Sequence, residues 1–215
     1  MKLLQKMASL FNGKEPGHNK RRGRKRRGQS LVEFAIAFPV IILLFSGVVE
    51  YGFILNYYLS LLDATRESAR FYSNLDPFNE DGTDNIDFYS GAAAMVRASL
   101  DPQVVNPSYV GRRIILDPAT DDVIITVYGA TAGSVVNYPV AGPFHMYNNR
   151  PPIFTNADIE GRLVSGSPNA GILLVEVHYS YDQVLKLPWL APFVSDPLIL
   201  RSYSMMPLSA AEPED

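Results

Sequence analysis

Apolar and polar positions divide the chain into regimes of different period. No charged side chain occurs from residue 34 to residue 49, and after Glu50 the apolar character resumes through Tyr51 to residue 62. Taken as an α-helix, residues 34–55 measure about 33 Å, which matches a hydrocarbon core of roughly 30 Å. The pattern therefore predicts a membrane-spanning helix. Beyond it Tyr58, Leu61, Leu62, Thr65, Ala69 and Tyr72 recur at three- and four-residue spacing, while Asp63, Arg66, Glu67 and Arg70 lie mostly off that stripe. The helix is thus expected to continue to residue 72. A single helix over residues 29–72 is about 66 Å long, enough to cross a bilayer and lift the outer residues clear of it. The stripe suits two roles equally, a contact with another subunit or packing on the chain's own domain.

The remainder mixes one shorter helical period with strand-like alternation. Asn85 or Asp87 can cap a helix over residues 88–100, with Ala92, Met95, Val96 and Leu100 as its apolar face and Asp101 with Pro102 as its stop. Residues 109–116, 122–128, 134–138 and 198–206 are rich in Val, Ile, Leu and Tyr and read as strands. The clearest strand is 171–181, with Leu173, Val175, Val177 and Tyr179 on one face and Glu176, His178 and Ser180 on the other. Residues 187–193, with Pro188 and Pro192 around Trp189, read as a crossover loop. Residues 140–169 are irregular, and so long a structureless stretch is unusual in a compact domain. A helix over 156–164 or a binding loop is expected there. The fold class is α+β: a long amino-terminal helix with a small, mostly antiparallel β-sheet. Three segments are expected: 1–28, 29–72 and an outer α+β domain over 73–215.

Charge then fixes an orientation. Residues 1–28 carry ten Lys or Arg against one acid, Glu15, whereas the remainder carries nine against twenty-one. A basic run directly before an apolar helix stays on the cytoplasmic side, where anionic lipid attracts it by roughly 1 kcal/mol per charge. The expected topology is a single pass in the cytoplasmic membrane, with the amino terminus inside and the domain outside. Taken alone, the run at residues 20–27 also suits nucleic acid, but its position before the helix favours lipid as its partner, and no nucleic acid is expected. A cleaved secretory signal would need a shorter apolar region ending in a small-x-small site, which the sequence around Glu50, Tyr51 and Gly52 does not offer.

Two carboxylates bracket the cleanest part of the span. Sixteen residues separate Glu33 from Glu50, about 24 Å of helix and less than the hydrocarbon thickness. At least one of them must lie in or near apolar surroundings, which by default marks a functional residue. If the chain is cut after Gly28, the new amine at Gln29 stands four residues before Glu33, which complements both that amine and the helix dipole. The amine of a neighbouring subunit would serve as well. Uncut, Glu33 faces Arg26 and Arg27. Pro39 removes one backbone donor inside the helix, so a kink or loosened turn is expected near residues 35–39.

The order Gly28, Gln29, Ser30, Leu31, Val32, Glu33, Phe34 looks like a prepilin cleavage signature. With Pro39, the VEYG stretch at 49–52 and RESAR at 66–70, it resembles the TadE-like family of pilus-assembly pseudopilins. That resemblance implies cleavage between Gly28 and Gln29 by a prepilin peptidase, a membrane aspartyl protease. It also implies a minor pseudopilin of a tight-adherence pilus or related secretion system, with other pilins or pseudopilins and an inner-membrane platform as partners. Glu33 matches the acid used in subunit registration, and Phe34 stands where major pilins of this system usually have tyrosine. Glu50, Arg66 and Arg70 are candidate subunit contacts. The rival reading is an uncleaved, single-pass anchored binding or adhesion protein.

No enzyme is expected. Without cysteine there is no thiolate nucleophile or cysteine-ligated zinc. His18, His145 and His178 are scattered, and His178 reads as a sheet-surface residue. No metalloprotease helix, nucleophile elbow or phosphate loop occurs. The acidic stretch 73–87 fails as a calcium loop, because placing Gly82 at the sixth position puts Phe88 where an acid is needed. Neither metal nor cofactor is expected.

Overall fold

The computed structural model describes residues 24–131, 133–164 and 168–213, with side chains from residue 28 onward. The expected features of residues 1–23, including most of the basic run and His18, lie outside the described residues, as do the side chains of Arg26 and Arg27. The chain divides into two compact units, Met1–Phe45 and Ser46–Asp215. The division falls within the first helix, α1 (Arg24–Tyr72).

In the first unit, α1 is apolar all round and unburied. Leu31, Phe34, Ile36, Phe38, Leu44 and Phe45 are all exposed. A helix of this kind has no aqueous resting place and suits lipid. Pro39 deprives the carbonyl of Ala35 of its helical donor, yet the helix runs through it without a break.

The second unit is an α+β domain. Its remaining elements are α2 (Ile86–Leu100), β1 (Asp122–Thr131), β2 (Ser134–Tyr138), β3 (Phe144–His145), α3 (Asn156–Glu160), β4 (Ala170–Tyr181) and β5 (Leu198–Pro207), with short 3-10 turns at Pro102–Val104 and Ser209–Ala211. The strands form one antiparallel sheet in the order β2-β1-β4-β5, with β3 paired to β1. Because β4 and β5 are neighbours, the proline-containing segment around Trp189 closes a long hairpin and is not a crossover. Residues 109–116 are not a strand. They are pinned by the Arg113–Asp101 ion pair and by the Ile114 amide donating to the Leu100 carbonyl, which seats Ile114 and Leu116 in the core without a strand partner.

Alternation along β1 and β4 sorts the two faces. Val123, Ile125 and Val127 lie opposite Val177, Val175 and Leu173 and face the helices, where Leu61, Ala64 and Ala69 of α1 and Ala92, Ala93 and Val96 of α2 complete the core. Each fully buried leucine or valine here contributes roughly 1.5–3 kcal/mol. The α1 stripe therefore packs on its own domain. Leu61, Thr65, Ala69 and Tyr72 lie on it as expected, but Tyr57 replaces the exposed Tyr58, setting its ring against Tyr179 and Tyr181. On this seam Ser68 Oγ donates to the Ala92 carbonyl at 2.8 Å, whereas the buried Tyr89 hydroxyl meets no partner among the described residues. Asn85 caps α2 by accepting from the amides of Asp87 and Phe88.

The opposite face carries Tyr128, Leu174, Glu176 and His178, and the irregular segment after β2 folds over it. That segment contains a single turn of helix, α3, closed by a reciprocal Thr155–Asp158 capping box. At Gly171 the sheet meets the chain's final turn. An added Cβ would run into the Leu208 carbonyl and the Ala211–Glu212 backbone, so only glycine fits.

Candidate functional site

The candidate site is α1 itself, and its two carboxylates have opposite settings. Glu33 is exposed on the first turns of the described side chains, and its Oε1 accepts from Gln29 Nε2 at 3.1 Å. This is an ordinary i,i+4 pair of neighbours on one helix face. Its described partner is thus the residue expected to become the new amino terminus. Gly28 is helical and exposed with open space around it, so the Gly28–Gln29 bond is sterically accessible once the helix unwinds locally. Glycine weakens a helix interior by about 1 kcal/mol relative to alanine, which favours that unwinding. Phe34 lies against Phe38, one turn on, with ring centroids 5.3 Å apart.

Glu50 is fully buried, at 0% exposure. Its Oε1 accepts from the Tyr181 hydroxyl at 2.7 Å and from the Val184 amide at 2.9 Å, while Oε2 accepts from the Leu185 amide at 2.9 Å. These three donors replace water around a carboxylate that would otherwise cost several kcal/mol to bury. Burial, reinforced by the hydrogen bond to Glu50, pushes the Tyr181 hydroxyl well above its usual value. Tyr181 is therefore the donor. Glu50, expected as a subunit contact, is turned inward on its own domain, because the hairpin after β4 supplies acceptor-hungry amides that the helix cannot. Arg66 and Arg70, the other candidate contacts, lie exposed on the outward face of α1.

The hairpin at residues 182–197 is held by more than Glu50. Trp189 Nε1 donates to Ser46 Oγ at 3.1 Å, and Gln183, itself buried, donates through Nε2 to the Val194 carbonyl at 2.7 Å. Leu190 points inward, while Trp189 and Phe193 point out.

The two histidines of the domain have different surroundings. His145 Nδ1 lies 2.9 Å from Asp122 Oδ2, and the same carboxylate accepts from the amides of Tyr147, Asn149 and Arg150. Burial pushes Asp122 up, but the Tyr147 amide, His145 and the Arg150 amide outweigh it and hold the carboxyl below its usual range. Glu176 accepts from the amides of Ile153 and Phe154, yet burial dominates and pushes it up to about 7. His178 is buried, not on a free sheet surface. Burial, with help from Arg201, pushes it down to about 4, and among the described residues neither ring nitrogen meets a hydrogen-bond partner. The expectation of an open face failed because alternation shows which side chains share a face and not what later chain covers it. Asp122 and Glu176 thus act as acceptors that clamp residues 147–154 to the sheet. Among the described residues, no group of three or more His, Asp or Glu side chains is placed to hold a metal ion.

Among the described residues one helix, Gly28–Tyr72, is long and apolar enough to cross a membrane. The family model described as TadE-like protein matches residues 28–70. No curated protein and no solved structure shows significant similarity to the chain. The match starts at Gly28 and ends at Arg70, the last residue of RESAR, so the resemblance read from the residues holds over nearly all of α1. It points to a membrane protein related to pilus assembly.

Proposed function

We propose that this protein is a minor pseudopilin of a tight-adherence pilus or a related secretion system. It is cut after Gly28 by a prepilin peptidase and assembled through the amino-terminal half of α1. Its work is assembly, with no turnover of substrate. The observation that carries this reading is the setting of Glu33: one exposed carboxylate at the head of the apolar, exposed amino-terminal half of α1, paired with the side chain of Gln29. Cleavage would place a cationic amine on that same residue, one turn from the carboxylate, or present it to the carboxylate of a neighbouring subunit. Exposed apolar residues around 31–45 then supply contacts with lipid before assembly and with other pilin helices after it.

Mass spectrometry of the chain produced with a matching prepilin peptidase tests the cut. A mature chain starting at Gln29 is expected, and persistence of residues 1–28, or cleavage elsewhere, overturns it. A second reading, an uncleaved anchored binding protein, draws on an open groove of about 320 Å³ lined by Tyr128, Asn137, Pro143, Pro152, Phe154 and Asn156 on the outer domain. Glu33→Ala separates the two: loss of assembly with normal membrane insertion supports the first, and unchanged partner binding supports the second.

A further inference from the structure

The β4–β5 hairpin is tied to one level of α1 and leaves part of its apolar side chains exposed, with Leu190 buried. Glu50 grips the amides of Val184 and Leu185, and Ser46 accepts from the Trp189 indole. Around those anchors Val184, Trp189 and Phe193 are exposed, Phe193 at 73% and Trp189 at 42%. On the adjoining part of α1, Val48, Tyr51 and Leu55 are exposed as well. At this level of the chain the hairpin therefore presents a rim of aromatic and aliphatic side chains, with further exposed apolar side chains on other faces of α1. The hairpin is internally braced, since Gln183 bonds to Val194 and Asp196, and the amides of Phe193 and Val194 both donate to the Leu190 carbonyl. Its apolar residues are exposed by construction and not by looseness.

We infer that this rim is a second membrane contact, in which Trp189 and Phe193 dip into the headgroup region of the phospholipid bilayer that α1 enters. The inference rests on the membrane-anchored reading of α1. Because Ser46 and Glu50 are buried on the domain, the span expected over residues 34–55 ends short of them; residues 28–45, as helix, measure about 27 Å, close to a hydrocarbon core of roughly 30 Å, so the outer boundary of a bilayer enclosing them falls near residues 46–50. Those are the positions to which the hairpin is bonded. Tryptophan favours that boundary because its ring is apolar while its N–H needs a partner, and Ser46 supplies the partner. Lys186, exposed beside Val184, adds a cation suited to lipid phosphate. The buried Glu50 fits the same depth: at the edge of hydrocarbon a carboxylate needs fixed donors, and the hairpin brings them.

The chain contains one tryptophan, so its fluorescence reports on the hairpin alone. The full chain is reconstituted into phosphatidylcholine–phosphatidylglycerol vesicles whose acyl chains carry bromine near the headgroup or near the bilayer centre, and insertion is scored separately by flotation after alkaline extraction. The expected result is an inserted protein whose emission falls about twofold or more with the shallow bromolipid, less with the deep one, and little with aqueous iodide, as an interfacial indole requires. Phe193→Asp should weaken the shallow quenching while flotation stays unchanged. An inserted protein quenched by iodide and not by either lipid overturns the inference and leaves the anchor intact. Shielding from both quenchers means that another protein copy covers the rim, which also overturns it. Failure to float removes the anchored reading and this inference together.

Discussion

Glu33 and Glu50 sit on one helix and meet opposite fates. The first is exposed and satisfied by a neighbour four residues away, whereas the second is sealed within the domain by donors from a distant hairpin. The difference shows what a charge in an apolar helix means. Where the fold supplies partners, the carboxylate is structural and its removal should be felt by the domain. Where the described residues supply only a helical neighbour, removal of the carboxylate should leave the domain's stability unchanged.

The largest expected effect comes from removing the buried partner. Glu50→Ala leaves a hydroxyl and two amides without an acceptor and should cost about 3–5 kcal/mol of domain stability, measured by thermal melting of the detergent-solubilised chain. If the domain melts unchanged, the contrast with Glu33 collapses.

Glu176 extends the comparison to a buried carboxylate held by backbone amides alone. Its pKa is raised from the ordinary 4.5 to about 7, so the folded protein holds its proton more tightly than the unfolded chain. That contribution is fully present below pH 4.5 and is lost as pH rises to about 7. Glu176→Gln should therefore gain stability relative to the native chain across this interval, by on the order of 3 kcal/mol at its upper end. His178, lowered to about 4, has the opposite sign, because its burial favours the neutral form and its contribution grows as pH rises from about 4 to 6.5. The native chain itself should show the flatter profile. Melting curves at several pH values decide this, and a Gln variant whose advantage does not vary with pH contradicts it.

Smaller still, Tyr181→Phe removes one of the three Glu50 donors and should cost about 1–2 kcal/mol, seen as a lower denaturation midpoint with an unchanged slope. The smallest effect on stability belongs to Glu33→Ala, which should fall within about 0.5 kcal/mol of the native chain while abolishing assembly. A variant that both melts early and fails to assemble would place Glu33 in the same class as Glu50.

How much of the molecule was legible in the sequence depends on how local each signal is. α1 and β4 were legible because their periods run for many turns or residues, and the asparagine cap of α2 was legible because the cap bonds reach only two or three residues ahead. Residues 109–116 have strand composition but no strand partner, since an ion pair to Asp101 and the amide of Ile114 fix them beside α2 instead. The Glu33 motif was legible because glycine, acid and aromatic lie within a few residues of one another. The Glu50 clasp was not, because its donors lie 131 to 135 residues away and two of them are backbone amides, which carry no residue identity to read. Sequence offered only the anomaly, a carboxylate in an apolar run. Its resolution belonged to the tertiary fold.

The Glu50 clasp also sets where mechanical load enters the domain. A pull along α1 meets the three hydrogen bonds at Glu50 and the indole bond at Ser46 before it reaches the apolar seam at Leu61 and beyond. Tension is then handed through Tyr181 into β4, whose long ladders with β1 and β5 run the length of the sheet. From Ser46 onward the helix is thus tied to an inner strand of the sheet and not to its edge.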